Sequence, residues 1–73
     1  MIQMLSKNKF YTESRGNKMT LEKLGDRWLM VTDNAAARAY NFGRPGYKEF
    51  DTLLEVEQQY KSWRGIAALV KSI

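Results

Sequence analysis

Apolar positions recur at every second residue in the first part of the chain and at every third or fourth in the last part. Residues 9–14 (KFYTES) are rich in β formers, and Arg15-Gly16-Asn17 follows as a turn signal, because Gly and Asn tolerate positive φ. In residues 18–24, Met19 and Leu21 alternate with Thr20 and Glu22, the period of a strand with one apolar face. Gly25-Asp26 marks the next turn, and residues 27–32 (RWLMVT) are the clearest strand of the chain. A three-residue hairpin loop, Leu24-Gly25-Asp26, sets Leu21 opposite Leu29 and Met19 opposite Val31. That register gathers one apolar set on a single face and sends Trp28 and Met30 to the other. A shift by one residue mixes the two sets.

Asp33-Asn34 is a further turn signal, after which residues 36–42 return as a third strand of the hairpin series. Arg44-Pro45-Gly46-Tyr47 fits a β-turn, with Pro at the second position and Gly at the third. The period then changes. Thr52-Leu53-Leu54-Glu55 matches a capping box, with Asp51 as a competing cap and Phe50 placed as a hydrophobic staple. Leu53, Val56, Tyr60 and Trp63 make one apolar stripe at helical spacing, and Glu57 and Lys61 form an i,i+4 pair. Gly65 either ends this helix or lies within it; a break is expected there, with residues 66–70 as a short separate helix. The pattern predicts one α+β domain over residues 1–73. It is a small antiparallel β-meander of three to four strands, followed by a C-terminal helix, broken near Gly65, packed on one face.

The chain has 73 residues and no cysteine, so its core must be built without disulfides. Nine aromatic side chains, among them Phe10, Trp28, Phe50 and Trp63, are the main reserve for that core. The absence of cysteine suits a reducing cytoplasm. Residues 1–10 are too short in apolar residues for a signal peptide, and no stretch approaches a membrane span. With no histidine and no cysteine, the commonest general base and the usual metal ligands are missing. Glu55 and Glu57 point to different faces of one helix, and Gly43-Arg44-Pro45-Gly46 lacks phosphate-loop spacing. No enzyme activity, metal or cofactor is expected.

The net charge of +4 is unevenly spread and permits attraction to nucleic acid or to an acidic protein. Arg15 and Lys18 flank the first turn, Lys23 and Arg27 the second, and Arg44 lies in the long loop. In the preferred register Arg38 and Tyr40 share an outer sheet face with Trp28 and Met30, and such a Trp/Met/Tyr/Arg cluster has the composition of an interface hot spot. These nine residues are the candidate contact set. The order GDRWLMVTD…FDTLLEVEQQYKSWRG, across residues 19–65, resembles the plant ethylene-response-factor DNA-binding domain, through Gly25, Trp28, Asp33 and Phe50-Asp51-Thr52. That resemblance implies a three-stranded sheet followed by a helix, reading DNA with sheet arginines and tryptophans. This chain carries fewer strand arginines than that family.

Two functions are therefore expected as alternatives. The first is a stand-alone, non-enzymatic regulator or inhibitor that binds another protein or a nucleoprotein complex, of the kind phages and plasmids carry against host CRISPR or restriction systems. The second is a nucleic-acid-binding domain, in which Arg27, Trp28, Arg38 and Arg44 converge with Lys23 on one side. A homodimer through the Trp28 face is a third arrangement.

Overall fold

Tight turns build most of the sheet. The computed structural model describes residues 2–72. Strands β1 (Gln3–Ser6), β2 (Lys9–Ser14), β3 (Asn17–Leu24) and β4 (Arg27–Asp33) follow one another through two-residue turns. Helix α1 (Ala35–Tyr40) and a loop then lead to β5 (Gly46–Phe50). All five strands pair antiparallel in the order β1-β2-β3-β4-β5. Helix α2 (Leu53–Gln59), a 3₁₀ turn (Lys61–Trp63) and helix α3 (Ile66–Lys71) complete the domain. The expected α+β meander with C-terminal helices is present, with two strands at its edges, β1 and β5, that the pattern did not mark.

The β3–β4 register differs from expectation. Leu24 pairs with Arg27, so the loop is the two residues Gly25-Asp26, with Gly25 at φ 62°. This suits the first position of a primed hairpin turn, which follows strand twist. Leu21 consequently lies opposite Met30, and Met19 opposite Thr32. The shift reverses the faces of β4: Trp28 and Met30 point inward at 6% and 0% exposure, while Leu29 and Val31 face outward, half-buried. Their expected place on an outer face is corrected accordingly. Burying a Trp removes roughly 150–250 Å² from water, more than any aliphatic side chain offers, so the register that encloses Trp28 wins.

The core joins this inner face to the helical layer. Phe10, Met19, Leu21, Trp28, Met30 and Phe50 come from the sheet, and Val56, Trp63 and Ile66 from the three helical pieces. The rings of Phe10 and Trp28 lie 6.4 Å apart, and Tyr60 meets Phe50 edge-on at 6.1 Å.

Residues 36–42 do not form a strand. Asn34 Oδ1 accepts from Ala37 N at 2.6 Å and caps α1, and three alanines supply its helix propensity. Gly46 likewise begins β5 instead of turning the chain, and it pairs with Thr32.

Thr52 caps α2 as read, accepting from Glu55 N at 3.3 Å. Glu55 returns a bond to the Asp51 amide at 3.4 Å, one residue earlier than the capping-box pattern. The chain breaks at Gly65 (φ 93°), and also at Tyr60, which is extended at φ −130° and ψ 107°. The break at Tyr60 removes the helical geometry between Glu57 and Lys61. Glu57 instead accepts from Gly65 N at 3.2 Å and Ala67 N at 3.0 Å, tying α2 to the first turn of α3. Replacing Glu57 with Ala leaves these two amides without their carboxylate and should cost about 1–2 kcal/mol, by the usual worth of charge-assisted cap bonds. Urea unfolding of the variant beside wild type measures this, and an unchanged midpoint would show that the two bonds carry no net stability.

Candidate functional site

The end of the sheet from which α1 springs collects the least buried large side chains of the domain. Tyr40 is 87% exposed, Phe42 98% and Tyr47 65%. With Asn41, Arg44 and Pro45 they surround a shallow hollow of about 450 Å³.

The backbone that presents them is tightly bonded. The Gly43 amide donates to Arg38 O at 2.6 Å, the six-to-one bond of a Schellman ending. Asn41 N and Nδ2 both donate to Ala37 O, at 2.9 and 2.8 Å, and Arg44 N donates to Asn41 O at 3.2 Å. In a Schellman ending the residue before that amide is left-handed and is usually glycine. Here it is Phe42, at φ 55°. An L residue in this conformation costs about 1–2 kcal/mol, more notable for a bulky side chain. A ring that is 98% exposed returns nothing to the core.

Arg38 holds this loop against the sheet. Its guanidinium donates to both oxygens of Asp33, at 2.6 and 2.8 Å, and also to Gly43 O. One side chain thus joins the end of β4, α1 and the loop. The forked bonds from Arg38 hold the Asp33 carboxyl below the usual carboxylate range, and the same bonds raise the guanidinium pKa.

The nine expected contact residues divide by position. Trp28 and Met30 are core. Arg38 serves the loop, and Arg27 lies near Asp51 at 3.0 Å and Glu49 at 3.6 Å, exposed pairs of small energetic weight. Lys23 and Arg27 flank the β3–β4 turn. Arg15 and Lys18 lie at the opposite end of β3, where Lys18, roughly 17 Å from Lys23 by strand rise, is the register partner of Asp33. Tyr40 and Arg44 follow Asp33 at that same end. The convergence of Arg27, Trp28, Arg38 and Arg44 with Lys23 is not present.

Phe42, Pro45 and Tyr47 were outside the expected set. Their signal is an aromatic-rich stretch, Tyr40-Asn41-Phe42-Gly43-Arg44-Pro45-Gly46-Tyr47, that has turn residues but no strand or helix period. Tyr47 also continues a row across the outer face, where Tyr11, Thr20, Val31 and Tyr47 are successive cross-strand partners. At the start of that row the Tyr11 hydroxyl donates to Glu13 Oε2 at 2.8 Å, and the hydrogen bond to this carboxylate raises the phenol pKa.

The chain matches no family model, no curated protein and no solved structure among known proteins. The architecture implied by the ethylene-response-factor resemblance is not found either. The sheet has five strands, and Trp28 lies in the core beneath the helical layer.

Two outcomes test the construction of this loop. Phe42→Gly should raise stability by about 0.5–1 kcal/mol, strain relief exceeding glycine's extra unfolded freedom, whereas Phe42→Ala should change it little because the left-handed strain stays. Denaturant melts of both variants decide this; a destabilised glycine variant would mean that the ring itself supports the fold. Asp33→Asn should lower the melting temperature at neutral pH. A carboxyl with a lowered folded pKa contributes fully above its unfolded value near 3.9 and loses that contribution as pH falls through the folded value. The gap between wild type and Asp33→Asn should therefore close below about pH 4. A gap that persists at the lowest pH would separate the effect from ionisation.

Proposed function

We propose that this chain is a non-enzymatic binding protein that docks on another protein through the tip formed by Tyr40, Phe42, Arg44, Pro45 and Tyr47. The observation that carries this reading is Phe42, fully displayed from a strained backbone position that contributes nothing to the core. Backbone strain persists where surrounding bonds over-determine it, and it clusters at binding sites. Aromatic and arginine side chains on a pre-bonded loop are the composition of interface hot spots, and the ordering cost of the loop backbone is already met before contact. Arg15, Lys18 and Arg44 at the same end favour a partner with an acidic rim.

Such a partner is consistent with a small regulator or inhibitor, including an accessory protein acting against a host defence system. The nucleic-acid reading draws less support. Of its five residues, one is core, two are paired to acids and Lys23 lies at the far end from Arg44.

The test is quantitative capture from lysate of the encoding organism and its host, using wild type, Phe42→Gly and Arg44→Glu as baits. A partner recovered by wild type and reduced at least about tenfold by either substitution, with the fold intact, is the expected result; a hot-spot side chain is worth about 2 kcal/mol or more. Equal recovery by all three baits would remove the tip from the interface. Salt-sensitive binding to labelled DNA or RNA that both tip variants retain would favour the alternative function instead.

A further inference from the structure

A second concavity lies on the inner side of the same end, between the uncovered part of the sheet and the residues that follow α2. The helical layer rests on the rows containing Phe10, Leu21, Trp28 and Phe50, and leaves the Ser14/Asn17 pair and, beyond the buried Thr12 and Met19, the Thr32/Gly46 pair partly uncovered. The result is a groove of about 530 Å³, within the usual range for small-molecule sites. Met19 forms part of its floor, Lys48 of β5 stands at its sheet side, and Gln59, Tyr60 and Lys61 line its helical side. Both charged residues of the lining are lysines, and no carboxylate is among them.

The hydrogen bonds around the groove settle its polarity. The Ala37 amide can only donate, so the Asn34 atom it meets is Oδ1, at 2.6 Å. Asn34 Nδ2 must then be the donor to Asn17, at 2.8 Å, and the accepting atom of Asn17 is Oδ1. The remaining polar atom of the Asn17 side chain is its NH₂ group. The same logic applies across the groove. The Lys48 ammonium can only donate, so the Gln59 atom it meets at 2.6 Å is Oε1, which leaves Gln59 its NH₂ group. Internal donors thus consume the amide oxygens. What remains is two amide NH₂ groups, the Lys61 ammonium, the other protons of the Lys48 ammonium and the hydroxyls of Ser14, Thr32, Tyr60 and Ser62.

We infer that this groove is a binding site for a small organic phosphate of nucleotide size. A surface of donors without a carboxylate selects an anion. The donors are point-like ammonium, amide and hydroxyl groups spread over the lining, and a phosphate, whose acceptor oxygens point in several directions, meets more of them at once than a planar carboxylate does. The ring of Tyr60, half-buried in the lining, gives an organic moiety apolar surface beside the phosphate. Tyr47 borders both this groove and the aromatic tip, but the donors that carry the anion reading lie outside the tip, so neither proposal requires the other.

The test is an NMR titration of the isotope-labelled chain with inorganic phosphate and with adenosine 5′-monophosphate, at constant ionic strength. Both should shift the amides of Asn17, Thr32 and Ser62 saturably, with the nucleotide about tenfold or more tighter because its organic part also packs in the groove. Asn17→Asp and Gln59→Glu are the decisive variants. Each keeps the oxygen that accepts the internal bond, so each should fold as wild type, while its free donor becomes a negative acceptor. Each should weaken the nucleotide at least about tenfold, the effect of losing a charge-assisted bond and adding a like charge. Absence of saturable shifts with either ligand overturns the proposal. So does nucleotide binding that both folded variants retain at full strength. Binding of the nucleotide no tighter than inorganic phosphate overturns the organic part and leaves a bare anion site.

Discussion

The enclosure of Trp28 is the interaction on which the rest of the molecule depends. A domain of this length buries only about 60% of the surface its unfolded chain exposes, so each large ring decides much of the balance. Trp28 packs with Phe10 on one side of its strand and pairs across to Phe50 in β5 on the other. Turning β4 over would exchange Trp28 and Met30 for Leu29 and Val31 on the inner face. The apolar area withdrawn from water would fall, and Trp63 and Ile66 would lose the surface they cover. The two-residue turn at Gly25-Asp26 is therefore a consequence of core packing as much as its cause. Everything on the outer face, including the row from Tyr11 to Tyr47, follows from that choice.

Several elements were legible because their signals are local. Strands 9–14, 18–24 and 27–32 carry β formers between turn residues, and the Thr52 cap lies four residues before the first buried helical residue, Val56. The register was not legible, because two- and three-residue loops differ by one backbone conformation at Gly25 that pattern alone does not choose. Helix α1 was misread for a related reason. The segment Asn34-Ala35-Ala36-Ala37 has both a good cap and good helix formers, yet its expected place in a meander favoured a strand. Strand β5 was hidden because Pro45-Gly46 reads as a turn. Tyr40 was selected for a sheet face shared with Arg38 and instead ends helix α1, next to the loop in which Arg44 was correctly placed, so part of the site was identified through a geometry the fold does not have.

Arg38 shows why charge alone identifies a contact residue poorly. Exposed ion pairs contribute about 0–1 kcal/mol, and this one is half-exposed on both sides. Its consequence is geometric. Three bonds from one guanidinium fix the loop in which Phe42 occupies a left-handed position. The local strain of about 1–2 kcal/mol exceeds what an exposed ion pair supplies by itself, so the loop also relies on its backbone bonds at Asn41, Gly43 and Arg44. Such a loop is stable only as a connected unit, and its rigidity comes from connectivity and not from burial.

The asymmetry of charge gives the two proposed sites a common physical setting. Glu13 and Asp33 are the acids at the tip end of the sheet, and each is engaged, by Tyr11 and by Arg38. Arg15, Lys18 and Arg44 lie at this end and Lys61 borders its groove, with no ion pair among the described residues. Asp51 and Glu49 lie towards the other end and are met by Arg27. A net charge of +4 spread evenly would do little beyond keeping a small domain soluble. Concentrated at one end, beside a hollow and a groove, it raises the local concentration of anionic partners and orients them before contact. The same end also carries the exposed rings of Tyr40, Phe42 and Tyr47, so attraction and short-range apolar contact act on one surface. Steering without such anchors yields fast but weak encounter, and anchors without steering yield slow association. Their coincidence at the α1 end is the strongest physical reason to place the working surface of this protein there.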